Sequence, residues 1–218
     1  MNQRDIMRFF LYPAALLLTN ITNAAIPING LYSTIFGGYA YLPNNIDINQ
    51  SGNTFSNASY KPGFDVGGSL GFKSNPMRYE GELTYIKANL NHFDVRNFNQ
   101  IGVGGYSNAT LAMANVFYDF QNVIPAIQPF LGGGIGYAWV NSNLNSTGPI
   151  GIQQYSGSNS VFAYQASTGL TFNFSENYAL NLGYRYIATT TPDQLGKYFQ
   201  ANLANLGAIY RFDAARYK

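Results

Sequence analysis

The chain has no cysteine, a single histidine (His92), and few charges: Asp, Glu, Lys and Arg make up 10% of its 218 residues. Ordinary soluble proteins carry about 25%. Without disulfides, an exported form must be stable by other means, and a closed barrel is one such means. A metal site needs more ligands than one histidine. Net charge is only +2, with no basic cluster, so nothing steers nucleic acid or an acidic partner. Long apolar runs are also missing. The longest after residue 24 is Phe130–Val140, FLGGGIGYAWV, 11 residues with four glycines. A transmembrane helix needs about 20 apolar residues, whereas roughly 9–11 suffice for a tilted β-strand.

Aromatics, by contrast, reach 16%, with 18 Tyr and 16 Phe, and there are 23 glycines. Such hydrophobicity argues against disorder. The mixture also lacks the Ala, Leu, Glu and Lys excess of a helical bundle. It suits an all-β protein with much apolar surface.

Residues 1–24 read as an export signal: Arg4 and Arg8 against Asp5, an apolar stretch Phe9–Leu18, then Thr22-Asn23-Ala24. That order of regions predicts cleavage after Ala24, leaving residues 25–218 as one domain.

The hairpin Val161–Ile187 shows the strand period most plainly. One face holds Phe162, Tyr164, Leu170, Phe172, Phe174, Leu180, Leu182, Tyr184 and Tyr186. The other holds Gln165, Ser167, Gly169, Thr171, Asn173, Asn181, Gly183 and Arg185. A period of two means β-structure, and Ser175-Glu176-Asn177 is the turn. Eight such strands are predicted: Leu31–Leu42, Phe64–Lys73, Arg78–Lys87, Asn108–Phe120, Ile127–Val140, Val161–Phe174, Tyr178–Ile187 and Ala201–Phe212. Their connections alternate. Ser74–Met77, Gln121–Ala126 and Ser175–Asn177 are short, while Pro43–Gly63, Ala88–Ser107, Asn141–Ser160 and Ala188–Gln200 are long. Short turns at one end and long loops at the other are the layout of an outer-membrane barrel. A soluble sandwich would also bury these apolar faces, but it does not explain the loop asymmetry.

The alternation sorts charge onto one face. Asp65, Glu80, Glu82 and Asp119 fall inward with Lys73, Arg78, Arg185 and Arg211. A lipid-facing Arg or Lys near midplane costs roughly 2–4 kcal/mol, and isolated buried charges are expensive. Four acids and four bases therefore predict an ion-paired lumen. Lys87 is the outward exception, at a loop end where it can snorkel. Eight strands leave an interior just wide enough to be filled by side chains, and Gly132, Gly134 and Gly136 are expected to make room for Arg185 and Phe117.

FAYQASTGLTF, ALNLGYRY, PFLGGGIGYA and ANVFYDF, together with the final strand, resemble the opacity-protein-like family of small outer-membrane barrels. The resemblance implies an eight-stranded antiparallel up-and-down transmembrane barrel in a bacterial outer membrane, and host-surface adhesion for some members. It also implies that Asn205, Gly207, Tyr210 and Phe212 form the C-terminal signal read by the outer-membrane assembly machinery. The tail Asp213–Lys218 after that aromatic departs from the pattern.

Gly132-Gly133-Gly134-Ile135-Gly136 is not a phosphate loop, because it lies inside an alternating strand and no Lys-Ser/Thr follows. His92 has no matching Ser motif for a lipid-modifying hydrolase and reads as a solvated loop residue. The long loops, rich in Asn, Gln, Ser, Gly and Tyr, suit adaptable recognition. The leading expectation is thus a non-catalytic, cofactor-free surface protein of structural or adhesive role. It contacts outer-membrane lipid and, through its loops, host surface proteins. A narrow porin-like channel and a lipid-modifying enzyme are the alternatives.

Overall fold

The computed structural model describes residues 28–44, 46–50, 53–121, 126–149, 151–191 and 196–212. The expected signal segment with Ala24, and the tail 213–218, lie outside the described residues. Eleven strands are present in chain order: β1 (Gly30–Tyr41), β2 (Ile48–Gln50), β3 (Asn53–Tyr60), β4 (Gly63–Ser74), β5 (Met77–Val95), β6 (Phe98–Asn99), β7 (Gly104–Asp119), β8 (Ile127–Ser146), β9 (Gln153–Asn173), β10 (Tyr178–Thr189) and β11 (Gln200–Arg211).

Eight of them, β1, β4, β5, β7, β8, β9, β10 and β11, pair antiparallel in that order. The ring closes through β11 on β1, from Tyr32 opposite Arg211 to Tyr41 opposite Asn202. Closure leaves the eight-strand wall without a free edge over its paired length, which satisfies the backbone where no water can. The small β2–β3 hairpin hangs on β5 at the long-connection end, and β6 folds back on the tip of β5.

Side chains alternate as the period of two requires. The outward face carries exposed Ile35, Val66, Leu70, Leu83, Leu131, Ile135, Leu182 and Leu206. Aromatics bracket that belt. Phe72, Tyr79, Tyr118, Tyr178 and Phe212 lie toward the short turns; Tyr39, Phe64, Tyr137, Trp139, Tyr164 and Tyr184 lie toward the long connections. Phe64 and Phe72 are eight residues apart on β4, or ~26 Å along a strand. At the roughly 35–45° tilt of such barrels this spans about 18–21 Å along the membrane normal, most of an apolar band about 25 Å tall.

The strands run farther than the alternating aromatic signal predicts. β5 continues past Lys87 to Val95, β7 begins at Gly104, and β8 and β9 pair from Ile127–Phe172 up to Ser146–Gln153. The segments expected to be long loops, Ala88–Ser107 and Asn141–Ser160, are thus mostly strand. Pro43–Gly63 holds β2 and β3. The reason is pairing. Once the barrel sets the register, Asn, Ser and Gly keep laddering although their intrinsic strand preference is low. One residue, Asn91, is a bulge on β5: Tyr60 opposes Leu90, whereas Ser59 opposes His92. Inward burial then passes from Leu90 to Phe93 and Val95, the change of face an extra residue produces.

Candidate functional site

The barrel interior has two storeys. At the short-turn end it is charged. Lys73 Nζ bonds Asp119 Oδ2 and reaches Gln128 Oε1 at 3.2 Å. The other carboxylate oxygen of Asp119 accepts from Arg78 Nε at 2.9 Å. Arg78 Nη1 meets Glu80 Oε1 at 3.2 Å, and Tyr32 donates to the same oxygen at 2.5 Å. One storey up, Arg185 Nη2 bonds Glu82 and donates to Gln165 Oε1 at 2.8 Å, while Asn115 Nδ2 donates to Glu82 Oε2 at 2.8 Å. Lys73, Arg78, Glu82, Asp119 and Arg185 are buried, and the Glu80 side chain is only 7% exposed. Such groups are stable only when paired and hydrogen-bonded.

Six of the eight candidate lumen charges therefore stand in two clusters: Lys73, Arg78, Glu80 and Asp119 in one, Glu82 and Arg185 in the other. Asp65 and Arg211 depart from simple pairing. Asp65 accepts from Asn205 Nδ2 at 2.5 Å. Arg211 donates to Asn173 Oδ1 at 2.6 Å and to the Glu176 carbonyl at 3.4 Å, with no carboxylate within 4.0 Å among the described residues. Amides take the place of the missing counter-ions.

Inward glycines do steric work. Gly132 lies opposite Phe117, and a Cβ there would fall 2.2 Å from the Phe117 ring. Gly71 opposite Tyr32, Gly67 opposite Phe36, and Gly169 opposite Phe130 show the same arrangement. Each bulky lumen ring lies over a glycine across the ladder, a device that shields a strand glycine. Gly134 and Gly136 make room for Asn115 and Met113. Arg185 does not use that space; its guanidinium lies over Phe36, 4.8 Å from the ring centroid. Polar Thr34, Glu82, Ser167, Arg185 and Asn205 and the rings of Phe36, Phe117 and Phe130 together line a cavity of about 50 Å³, large enough for a few waters that the polar groups could hold.

Toward the long connections, above the level of the candidate lumen charges, the interior is mainly apolar, with Ser107, Ser142 and Thr189 buried among it. Leu42, Ile46, Ile86, Leu111, Leu144, Ile187, Phe199 and Leu203 are fully buried in one cluster. Phe55 from β3 closes the top, its ring 6.3 Å from Phe93 and 5.3 Å from Tyr155. Asn53 Nδ2 donates across the mouth to Gln153 Oε1 at 3.1 Å. Ile46 bridges Gly196, tying the first connection to the last. Burial pushes the Tyr155 hydroxyl above its ordinary pKa. The alternation of Leu144, Tyr155, Gly157 and Val161 with polar neighbours was the sequence signal for this storey, diluted by Ser and Asn.

His92 sits on β5, not in a loop. Its Nε2 is 3.2 Å from Asp94 Oδ1, and Asn57 Nδ2 donates to Asp94 Oδ2 at 2.8 Å. Among the described residues no cluster of three or more His, Cys, Asp or Glu is placed to hold a metal. In β11, Asn205 and Gly207 face the lumen, and Tyr210 stacks edge-on to Phe212 at 5.1 Å on the outside.

Residues 14–212 match the family model described as outer membrane protein beta-barrel domain. The chain belongs to this family. Its place is accordingly the bacterial outer membrane, and the aromatic-bracketed belt is its lipid-facing wall. An "Outer membrane protein" of Gluconacetobacter diazotrophicus is 27% identical over 80% of this chain and 48% of its own length. Outer membrane protein PagN of Salmonella typhimurium is 32% identical over 40% of this chain and 37% of its own. The chain spans about half the length, or less, of these curated relatives. Among solved structures, Neisserial surface protein A superposes with a TM-score of 0.54 at 17% identity, covering 84% of this chain and 97% of that one. OprG from Pseudomonas aeruginosa gives 0.50 at 13%, covering 85% and 99%. These two share the fold.

Proposed function

We propose that this outer-membrane barrel is a closed, non-catalytic platform whose extracellular sheet and tips bind host surface proteins. The carrying observation is the apolar upper storey. A solute path would have to cross Leu42, Leu111, Leu144 and Phe199, all buried at 2% exposure or less, beneath the Phe55–Phe93–Tyr155 lid. Dry apolar constrictions of this kind oppose ion passage. Above the lid the chain projects rigid paired strands rather than free loops. Their tips expose Phe98, Ile101 and Ile152 (57%, 65% and 83%) amid polar residues, exposed Arg96 beside Phe98 among them, and Ile101 is bridged to Gly148. Isolated apolar anchors in a polar rim are the usual makeup of a protein-binding surface. Export through residues 1–24 with cleavage after Ala24 completes this reading. So does recognition of Asn205, Gly207, Tyr210 and Phe212 by the assembly machinery.

Expressed on a non-adherent bacterial host, the protein should confer binding to cultured epithelial cells. The triple variant Phe98→Ser, Ile101→Ser, Ile152→Ser should lose at least about tenfold of it, since each anchor contributes a kcal/mol or more, while folding normally by gel mobility before and after boiling. Unchanged adhesion in the variant would refute the tip assignment. In planar bilayers the wild type should show no steady openings; regular single-channel conductance would instead favour the porin-like alternative.

A further inference from the structure

The upper aromatic girdle contains a groove that the adhesive reading does not use. Pro62, Gly63, Phe64, Tyr85, Lys87 and Asn89 line it, with a volume of about 280 Å³. It lies on the outer wall between β4 and β5, opening sideways rather than into the lumen. The Phe64 and Tyr85 rings stand 6.3 Å apart, tilted by 52°. Lys87 Nζ rests over the Tyr106 ring, 4.8 Å from its centroid, and the Lys61 amide bonds the Asn89 carbonyl at 2.8 Å, fixing the rim. Asn108 Nδ2 donates to the Tyr85 hydroxyl at 3.3 Å.

Three features define what fits. First, the nearby charge is positive. Lys87 lines the groove and exposed Lys61 flanks it. Asp65 on the same strand points into the lumen, and Asp94 is engaged with His92 and Asn57 farther along β5. Second, the Asn89 amide and the two aromatic faces of Phe64 and Tyr85 suit sugar hydroxyls and a sugar ring. Third, the groove is continuous with the lipid-facing wall: exposed Val66 and Leu83 lie directly beneath it on the same two strands. The occupant is therefore anionic and sugar-like at one end and apolar at the other, at the depth where aromatic belts meet headgroups. We propose that the groove binds the phosphorylated sugar headgroup of an outer-leaflet glycolipid. Lys87 holds a phosphate, Phe64 and Tyr85 face the sugar, and the acyl chains run down Val66 and Leu83. Lysine is a common phosphate partner as a point charge.

Native mass spectrometry of the full barrel in detergent, titrated with bisphosphorylated diglucosamine lipid A, tests this. One tightly held lipid per barrel is expected. Lys87→Gln should weaken it about tenfold, equivalent to about 1.4 kcal/mol, with the heat-modifiable gel shift of a folded barrel retained. Fully dephosphorylated lipid A should bind the wild type as weakly. The proposal is overturned if Lys87→Gln binds like wild type, or if Lys197→Gln in the β10–β11 connection weakens binding equally. It is also overturned if phosphatidylglycerol, anionic but with no sugar, competes as well as lipid A. Adhesion plays no part in this readout, so its failure and that of the adhesive reading are separable.

Discussion

Asp119→Ala should lower the stability of the folded barrel by about 3–5 kcal/mol, the range for removing one partner of a buried ion pair. Asp119 serves two cations at once, Lys73 through one oxygen and Arg78 through the other. All three side chains are almost fully buried. Without the carboxylate, Lys73 keeps Gln128 and Arg78 keeps Glu80, which leaves net positive charge in a narrow, poorly hydrated space beside Arg211. Trp139 is the single tryptophan and faces lipid at the upper girdle, so its fluorescence during urea unfolding in vesicles reports the change. Asp94→Ala is the control. Its His92 partner is one-third exposed, and exposed pairs contribute about 0–1 kcal/mol. Equal losses in the two variants would mean that the lumen cluster contributes nothing special.

Gly132→Val should destabilise by about 1–3 kcal/mol or prevent folding, as overpacking of a filled interior does. Even a Cβ at Gly132 lands 2.2 Å from Phe117 and 2.7 Å from the Val116 carbonyl. The ring cannot retreat freely, because it packs edge-on against Phe130 at 5.8 Å and carries the Arg78 guanidinium at 4.8 Å. Phe117→Ala alone should also destabilise, by about 3–5 kcal/mol. Combined, the two should cost less than their sum, because the added methyls occupy the space the ring leaves; neighbours in contact couple by about 0.5–3 kcal/mol. Strict additivity in the same urea measurement would show that the two positions do not share that space. Gly133→Val, whose Cβ points outward and meets nothing closer than 3.4 Å, should be tolerated.

The lipid-facing wall was the most legible part. Phe64, Val66, Leu70 and Phe72 alternate with Asp65, Gly67, Ser69 and Lys73, and only one placement keeps those charges out of hydrocarbon. Eight such segments with short turns at one end leave little choice of architecture. The upper storey was harder to read. Asn141–Ser146 and Gln153–Ser160 are composed like loops, and only pairing across twenty ladder positions of β8 and β9 makes them strands. The Asn91 bulge is a one-residue feature with no local signature.

Partners inside the lumen were less legible still. The sequence placed Asp65, Arg185 and Arg211 on the inner face, since side-chain direction follows from position parity alone. It could not say that Asp65 meets Asn205, 140 residues away, that Arg185 lies over Phe36, or that Arg211 ends on an amide. Those choices depend on which residues the strand stagger brings to one level. Parity, belt and the eight strands of the wall come from local periodicity and are determined by the sequence alone. Register, the bulge and the change from a charged to an apolar interior arise from closing the ring, because closure sets which side chains must share each level of a space too narrow for more than one arrangement.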